Sequence, residues 1–358
     1  MSHRRQKPHP ETMRRPLSRG PLPPFIRGPS DVRISPPPLG GLKLNRTPLT
    51  SREGLVNPIF SQPRQVLLLS LLIGWAMSFP CWAGEPPRPN HPFLPDPSPE
   101  QQAEILLSMR QYSKALEEFQ RLIGDGSQEP TVYRGLAKSY EGTGQLAEGK
   151  RYLEKLLNTD PGNANLLFGM GFMHFLMGEF GPAEDRLNAS LDQSSGNALA
   201  WNTLGAVLAE KKSYSEAIKK VKRAIELDPS DLRFYQNLKQ IYEEMGETGL
   251  FIAEYKKSLE TGPHALSLGY GRTLANSLRQ KGFRLYSEGK PDETRKAFSD
   301  MLELYREINY PPGVVQALFS LGILYEESGD LQTAYKFYEE VLKINPGHIQ
   351  AREKLRMR

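Results

Sequence analysis

The sequence has few of the residues that usually carry chemistry. Its single cysteine, Cys81, excludes an intramolecular disulfide and a cysteine-based metal site. The six histidines are scattered. His3, His9 and His91 fall in proline-rich stretches, His264 and His348 at breaks between apolar segments, and His174 at a packing position on a helix. No glycine loop followed by Lys-Ser/Thr, no H-E-x-x-H and no G-x-S-x-G occurs, so phosphate-cradling, zinc-protease and hydrolase signatures are all missing. The stretch GYGRTLANS at 269–277 has no strand before it, as a nucleotide fingerprint requires. These absences predict a non-enzymatic protein with no cofactor and no metal.

A basic excess is also missing where the chain can fold. Residues 1–65 hold 12 Lys/Arg and 3 Asp/Glu, and 66–83 hold no charge at all. That leaves 34 basic and 38 acidic residues for 84–358, a net charge of −4. A nucleic-acid partner is therefore not expected, although the whole chain carries a formal charge of +5.

Three segments precede the periodic part. Residues 1–65 contain 13 prolines and are expected to form a disordered basic tail. A translation start at Val56 would remove most of it and leave a short leader containing Arg64. Residues 66–80, VLLLSLLIGWAMSFP, are shorter than the roughly 20 apolar residues of a comfortable membrane span and match the apolar region of an export signal. Cleavage is expected before Gly84, with Cys81 and Ala83 as the small residues of the site. The alternative is an uncleaved anchor, in which case membrane contact would run through 66–80 alone. Both readings place the rest of the chain outside the cytoplasm, in the periplasm or envelope. Residues 84–98, GEPPRPNHPFLPDPS, read as a stiff proline-rich linker.

What the sequence does have is a repeat. Pro229 is matched by Pro161, 68 residues earlier, and by Pro263, 34 later, which sets a period of 34. On that period 130–163 supplies Tyr133, Leu136, Ala137, Tyr140 and Gly144, and 164–197 supplies Met170, Gly171, Gly178, Ala183 and Leu187. The block 198–231 supplies Trp201, Leu204, Gly205, Leu208, Ala217, Val221 and Ala224. Tyr235, Leu238, Tyr242 and Gly246 follow in 232–265, and Leu318, Leu321, Gly322, Gly329, Ala334 and Pro346 in 315–348. The blocks 96–129 and 275–308 are degenerate copies. Each block reads as two helices divided near a glycine able to adopt the left-handed turn. Gly205 and Ala217 let the two backbones of one block approach, and Ala224 does the same toward the next block. Phe251, Gly149 and Thr294 take the place of Ala217 in their blocks, and 266–274 and 309–314 interrupt the register, so helices beside these interruptions should be longer. The tail 349–358 should be a capping helix.

The run WNTLGAVL at 201–208, with Ala217, Ala224 and Pro229 behind it, resembles the tetratricopeptide repeat (TPR) family, with Leu208 standing where that family has Tyr. The resemblance covers roughly 96–358. It implies an all-α fold, a right-handed superhelix or α-solenoid of about seven helix–turn–helix repeats. It also implies a concave groove lined by the first helix of each repeat, at offsets one, four, five and eight from each block's start. Those positions include Arg134, Lys138, Phe168, Phe172, Asn202, Thr203, Gln236, Asn237, Gln240 and Arg279, with Gln280 and Phe319 beyond. In related families asparagines at such positions hold a peptide backbone, which singles out Asn202 and Asn237. Phe168, Phe172 and Phe175 could supply an apolar anchor site or simply core packing. Arg134 with Lys138 is a partial echo of the family's clamp for C-terminal carboxylates. The expected function is a scaffold that binds a protein or peptide in the groove. The alternatives are a membrane-anchored assembly factor and a substrate-holding subunit of an enzyme.

Overall fold

The computed structural model describes residues 96–356. The basic tail, the apolar run with its expected cleavage site and linker residues 84–95 lie outside the described residues. Among the described residues the chain forms fifteen α-helices and no strand. They come as antiparallel neighbours: α1 (Pro99–Ser108) with α2 (Tyr112–Gly124), α3 (Pro130–Thr143) with α4 (Leu146–Thr159), α5 (Ala164–Leu176) with α6 (Phe180–Gln193) and α7 (Ala198–Glu210) with α8 (Tyr214–Leu227). Then follow α9 (Leu232–Glu244) with α10 (Thr248–Thr261), α11 (His264–Ser287) with α12 (Pro291–Glu307), α13 (Pro311–Glu327) with α14 (Leu331–Ile344), and α15 (Ile349–Arg356). None of the described helices is long and apolar enough to cross a membrane.

Local chemistry sets the helix ends. Ser98 and Gln101 form a reciprocal capping box at α1. Asn163, Asn197 and Asp231 each accept backbone N–H bonds at the starts of α5, α7 and α9, satisfying donors that have no partner within the helix. Proline occupies the first position of α3, α12 and α13, where its missing N–H costs nothing. After the first helix of a pair the chain turns through a left-handed residue. This is glycine at Gly144, Gly178, Gly246, Gly289 and Gly329, but Arg110 at φ 59° in the α1–α2 turn and Lys212 at φ 61° in the α7–α8 turn. A side chain in that conformation is strained by about 1–2 kcal/mol.

The elements stack as a solenoid. In the first six pairs each first helix touches the next one along, from α1 through α3, α5, α7 and α9 to α11, and each second helix packs on the following first helix. A single apolar core runs without a break from Ala103 to Ala351. Helices α5 and α7 are apolar on nearly every side and buried accordingly, whereas α6 and α8 bury one stripe and expose the opposite face.

The small residues sit where helices touch. A Cβ on Gly205 would lie 2.4 Å from Val221 Cγ2 and 3.0 Å from the Ala217 carbonyl oxygen. The register interruptions do not become loops. Residues 266–274 are absorbed into the 24-residue α11, and 311–314 into the 17-residue α13. Phe251, in the place of Ala217, is buried with its ring 5.1 Å from that of Tyr270 on α11. Gly269 admits the Tyr235 ring, against which a Cβ there would come to 2.2 Å.

Candidate partner-binding groove

The inner row of first helices brings the sequence-selected residues onto one side of the stack, but not as equals. Phe168, Phe172 and Phe175 are 0%, 1% and 3% exposed and form a stacked file, with successive ring centroids 6.2 Å apart. This corrects the expectation of an apolar anchor site at Phe168 and Phe172. Helix α5 is apolar all round, so α3, α4, α6 and α7 close over it, and the Arg134 guanidinium lies 5.9 Å from the Phe172 ring centroid. These rings offer a partner no surface.

Asn202 and Asn237, on adjoining helices α7 and α9, are joined directly. Asn237 Nδ2 donates to Asn202 Oδ1 at 2.9 Å, in a site where both residues are at most 7% exposed. An amide has four hydrogen-bonding sites. The described residues provide no partner for Asn202 Nδ2 or Asn237 Oδ1, and neither atom is sealed away from solvent. Thr203 is buried beside them and donates its hydroxyl to the Leu199 carbonyl at 2.7 Å, so it has no donor left for a ligand. Gln236 is exposed. Gln240 donates to Glu244 Oε1 at 3.2 Å, and Lys138 is ion-paired with Glu141 at 2.8 Å. Phe319 is half-buried against the His348 ring, 4.8 Å between centroids. Gln280 is exposed and Arg279 half-buried.

The hollow is tight enough for charges on distant repeats to act on one another. Burial, followed by the like charge of Arg233, lowers the pKa of Arg134 to about 10, with Glu104, Asp231 and Glu141 opposing the shift. These groups come from α1, α3 and the start of α9, so the stack curves enough to bring the first, second and fifth pairs within electrostatic reach. Arg233 differs because Asp231 compensates it: Arg233 Nε donates to both carboxylate oxygens at 2.9 Å. Asp231 thereby holds the Arg233 pKa up although burial opposes it. Arg134, with only an aromatic face under it, is the uncompensated member of the pair. Arg233 is not among the groove residues singled out from the sequence, although it lies at the first of the four offsets.

On the opposite side, Lys150, Glu154, Asn158, His174, Asp185 and Arg186 line a cavity of about 580 Å³ between α4 and α6. His174 is buried there, as its packing position suggested, with Nδ1 2.5 Å from Glu179 Oε2. Hydrogen bonds from His174 and then Lys150 hold the Glu179 carboxyl below its usual range. Among the described residues no group of three His, Cys, Asp or Glu side chains is placed to hold a metal ion.

Comparison with known proteins completes the assignment. A family model described as "Tetratricopeptide repeat" matches residues 198–231 and 315–348, and a second of the same description matches 132–163. The chain carries tetratricopeptide repeats. It is similar to a TPR repeat-containing protein of Methanocaldococcus jannaschii, 26% identical over 67% of this chain and 41% of the relative. It is also similar to the peroxisomal targeting signal receptor of Kluyveromyces lactis, 32% identical over 28% of this chain and 16% of the receptor. The chain thus spans well under half the length of either relative. Among solved structures, the crystal structure of MamA aligns with 60% of this chain and 97% of its own, at 19% identity and a TM-score of 0.30. As a TPR protein, the chain is a helical scaffold of a kind suited to protein–protein interaction.

Proposed function

We propose that this TPR array holds a peptide or helix of a partner protein in its inner groove and does so in the cell envelope. The observation that carries the groove reading is the Asn202–Asn237 pair. Two amides on adjoining first helices fix each other's orientation, and each keeps an unused hydrogen-bonding atom. One unused atom is a donor and the other an acceptor, the complement of one peptide unit of an extended ligand. The name of the targeting signal receptor, a relative over part of its length, supports a peptide as the recognised element. The envelope reading rests on the uncharged run 66–80 and the small residues before Gly84.

Pull-downs from envelope extracts with the wild type and the Asn202→Ala/Asn237→Ala double variant test the groove. Affinity is spread over several contacts, so the expected outcome is reduced recovery of specific partners, with others retained. Equal recovery of every partner would count against the groove. Mass spectrometry of the mature N-terminus tests location: a start at Gly84 supports export with release, and an intact 66–80 supports an anchor. Recovery of the full unprocessed chain from the cytoplasm would remove the envelope reading.

A further inference from the structure

The stretch 269–277, which began as a weak nucleotide-like motif, lies in the middle of α11. It places Arg272 and Asn276 on that helix, with Arg279 three residues further on, at the spacing i, i+4, i+7 that shares one side of a helix. All three are half-buried. Among the described residues neither arginine has a carboxylate within ion-pair distance, in contrast to the pairs Arg306–Glu340, Lys290–Glu288 and Lys354–Glu326 nearby. The Arg272 guanidinium instead lies 4.8 Å from the Tyr310 ring centroid. Both arginines face the same neighbourhood: burial raises the Tyr305 hydroxyl pKa, and the charges of Arg279 and Arg272 pull it back. Half-buried cations without counter-ions are costly, and a guanidinium matches a carboxylate with two parallel hydrogen bonds.

We propose that this side of α11 is a recognition site for an extended acidic segment of a partner protein, Arg272 and Arg279 each taking a carboxylate and Asn276 the backbone between them. The inference rests on the scaffold reading above and adds the partner's chemistry. Seven helical residues separate the two guanidinium-bearing positions by about 10.5 Å. Two carboxylates three residues apart on a polyproline II chain, which has three residues per turn, point the same way and are separated by about 9 Å. The recognised element is therefore acidic-x-x-acidic in polyproline II form. The net charge of −4 over 84–358 favours such a local contact over a polyanion.

The test is fluorescence anisotropy of the full chain with an N-acetylated, C-amidated peptide carrying two glutamates three residues apart in a Gly/Ser background. Binding should weaken about tenfold for Arg272→Gln and for Arg279→Gln, and for peptides with Gln at either position or with the glutamates adjacent. Arg272→Glu/Arg279→Glu should instead bind the matching Lys peptide. If a Gln variant melts early, Arg272→Lys and Arg279→Lys keep the charge, lose the fork and should show intermediate affinity. Affinity unchanged by the Gln variants, indifference to glutamate spacing, or tighter binding of a single-stranded oligonucleotide would overturn the proposal. Asn202→Ala/Asn237→Ala should leave this peptide's affinity intact. If that variant alone abolishes binding, the acidic site is refuted and the groove reading stands. The converse result supports the acidic site, and the Asn-centred groove is then judged by the pull-downs alone.

Discussion

The pair α7–α8 and the pair α9–α10 occupy equivalent places in successive repeats, yet they are built differently. In the first, Gly205 and Ala217 bring two backbones into contact along the helices. In the second, Phe251 replaces the alanine, and α9 and α10 approach at fewer places. The space is filled from outside the pair, by Tyr270 against Phe251 and by Gly269 beneath Tyr235. A close crossing of two helices can therefore be exchanged for an aromatic wedge, provided the following helix lengthens and supplies both a ring and a gap. Helix α11, with 24 residues, does so.

Four substitutions probe this contrast, each read by urea unfolding followed by circular dichroism. Phe251→Ala removes the wedge from a fully buried site and should cost about 3–5 kcal/mol. A loss below 1 kcal/mol would mean that α10 collapses onto α9 and that the wedge is dispensable. Ala217→Leu forces a large side chain into the tight crossing and should cost about 1–3 kcal/mol; tolerance would show that the α7–α8 approach is not limited by side-chain volume. Gly269→Ala brings a methyl group against the Tyr235 ring. Overpacking of about 1–3 kcal/mol less a helix-propensity gain of about 1 kcal/mol leaves a net loss of about 1 kcal/mol. Lys212→Gly relieves a left-handed side chain and should stabilise by about 0.5–1 kcal/mol. A destabilised glycine variant would indicate that the Lys212 side chain contributes more than its backbone conformation costs.

The repeat was legible in the sequence because its causes are local. Glycines at the turns and Gly205 opposite Ala217 each satisfy a requirement of one helix or one crossing. Lys212 shows the limit of that logic: packing on both sides imposes the turn even where no glycine permits it cheaply. The groove was less legible because its exposure depends on how sharply the stack curves, which no single block encodes. Phe168 and Phe172 share offsets with Asn202 and Gln240 but lie on a helix that neighbours cover completely. The pairing of Asn202 with Asn237 joins residues 35 apart, one more than the period, so alignment alone did not bring them together. Arg272 falls within an interruption of the register, where periodicity assigns no role.

The substantial packing contacts link helices no more than two apart in the chain, as expected of a stacked array. Such a molecule has the mechanics of a coil spring. A pull on its two ends is carried by many small joints in series, and the weakest yields first while the others hold. The pairs α3–α4 and α9–α10 approach at the fewest places of the seven helix pairs, so tension transmitted along the protein would widen the hollow beside Lys138 and Asn237 before it disturbed the tightly stacked α5–α8.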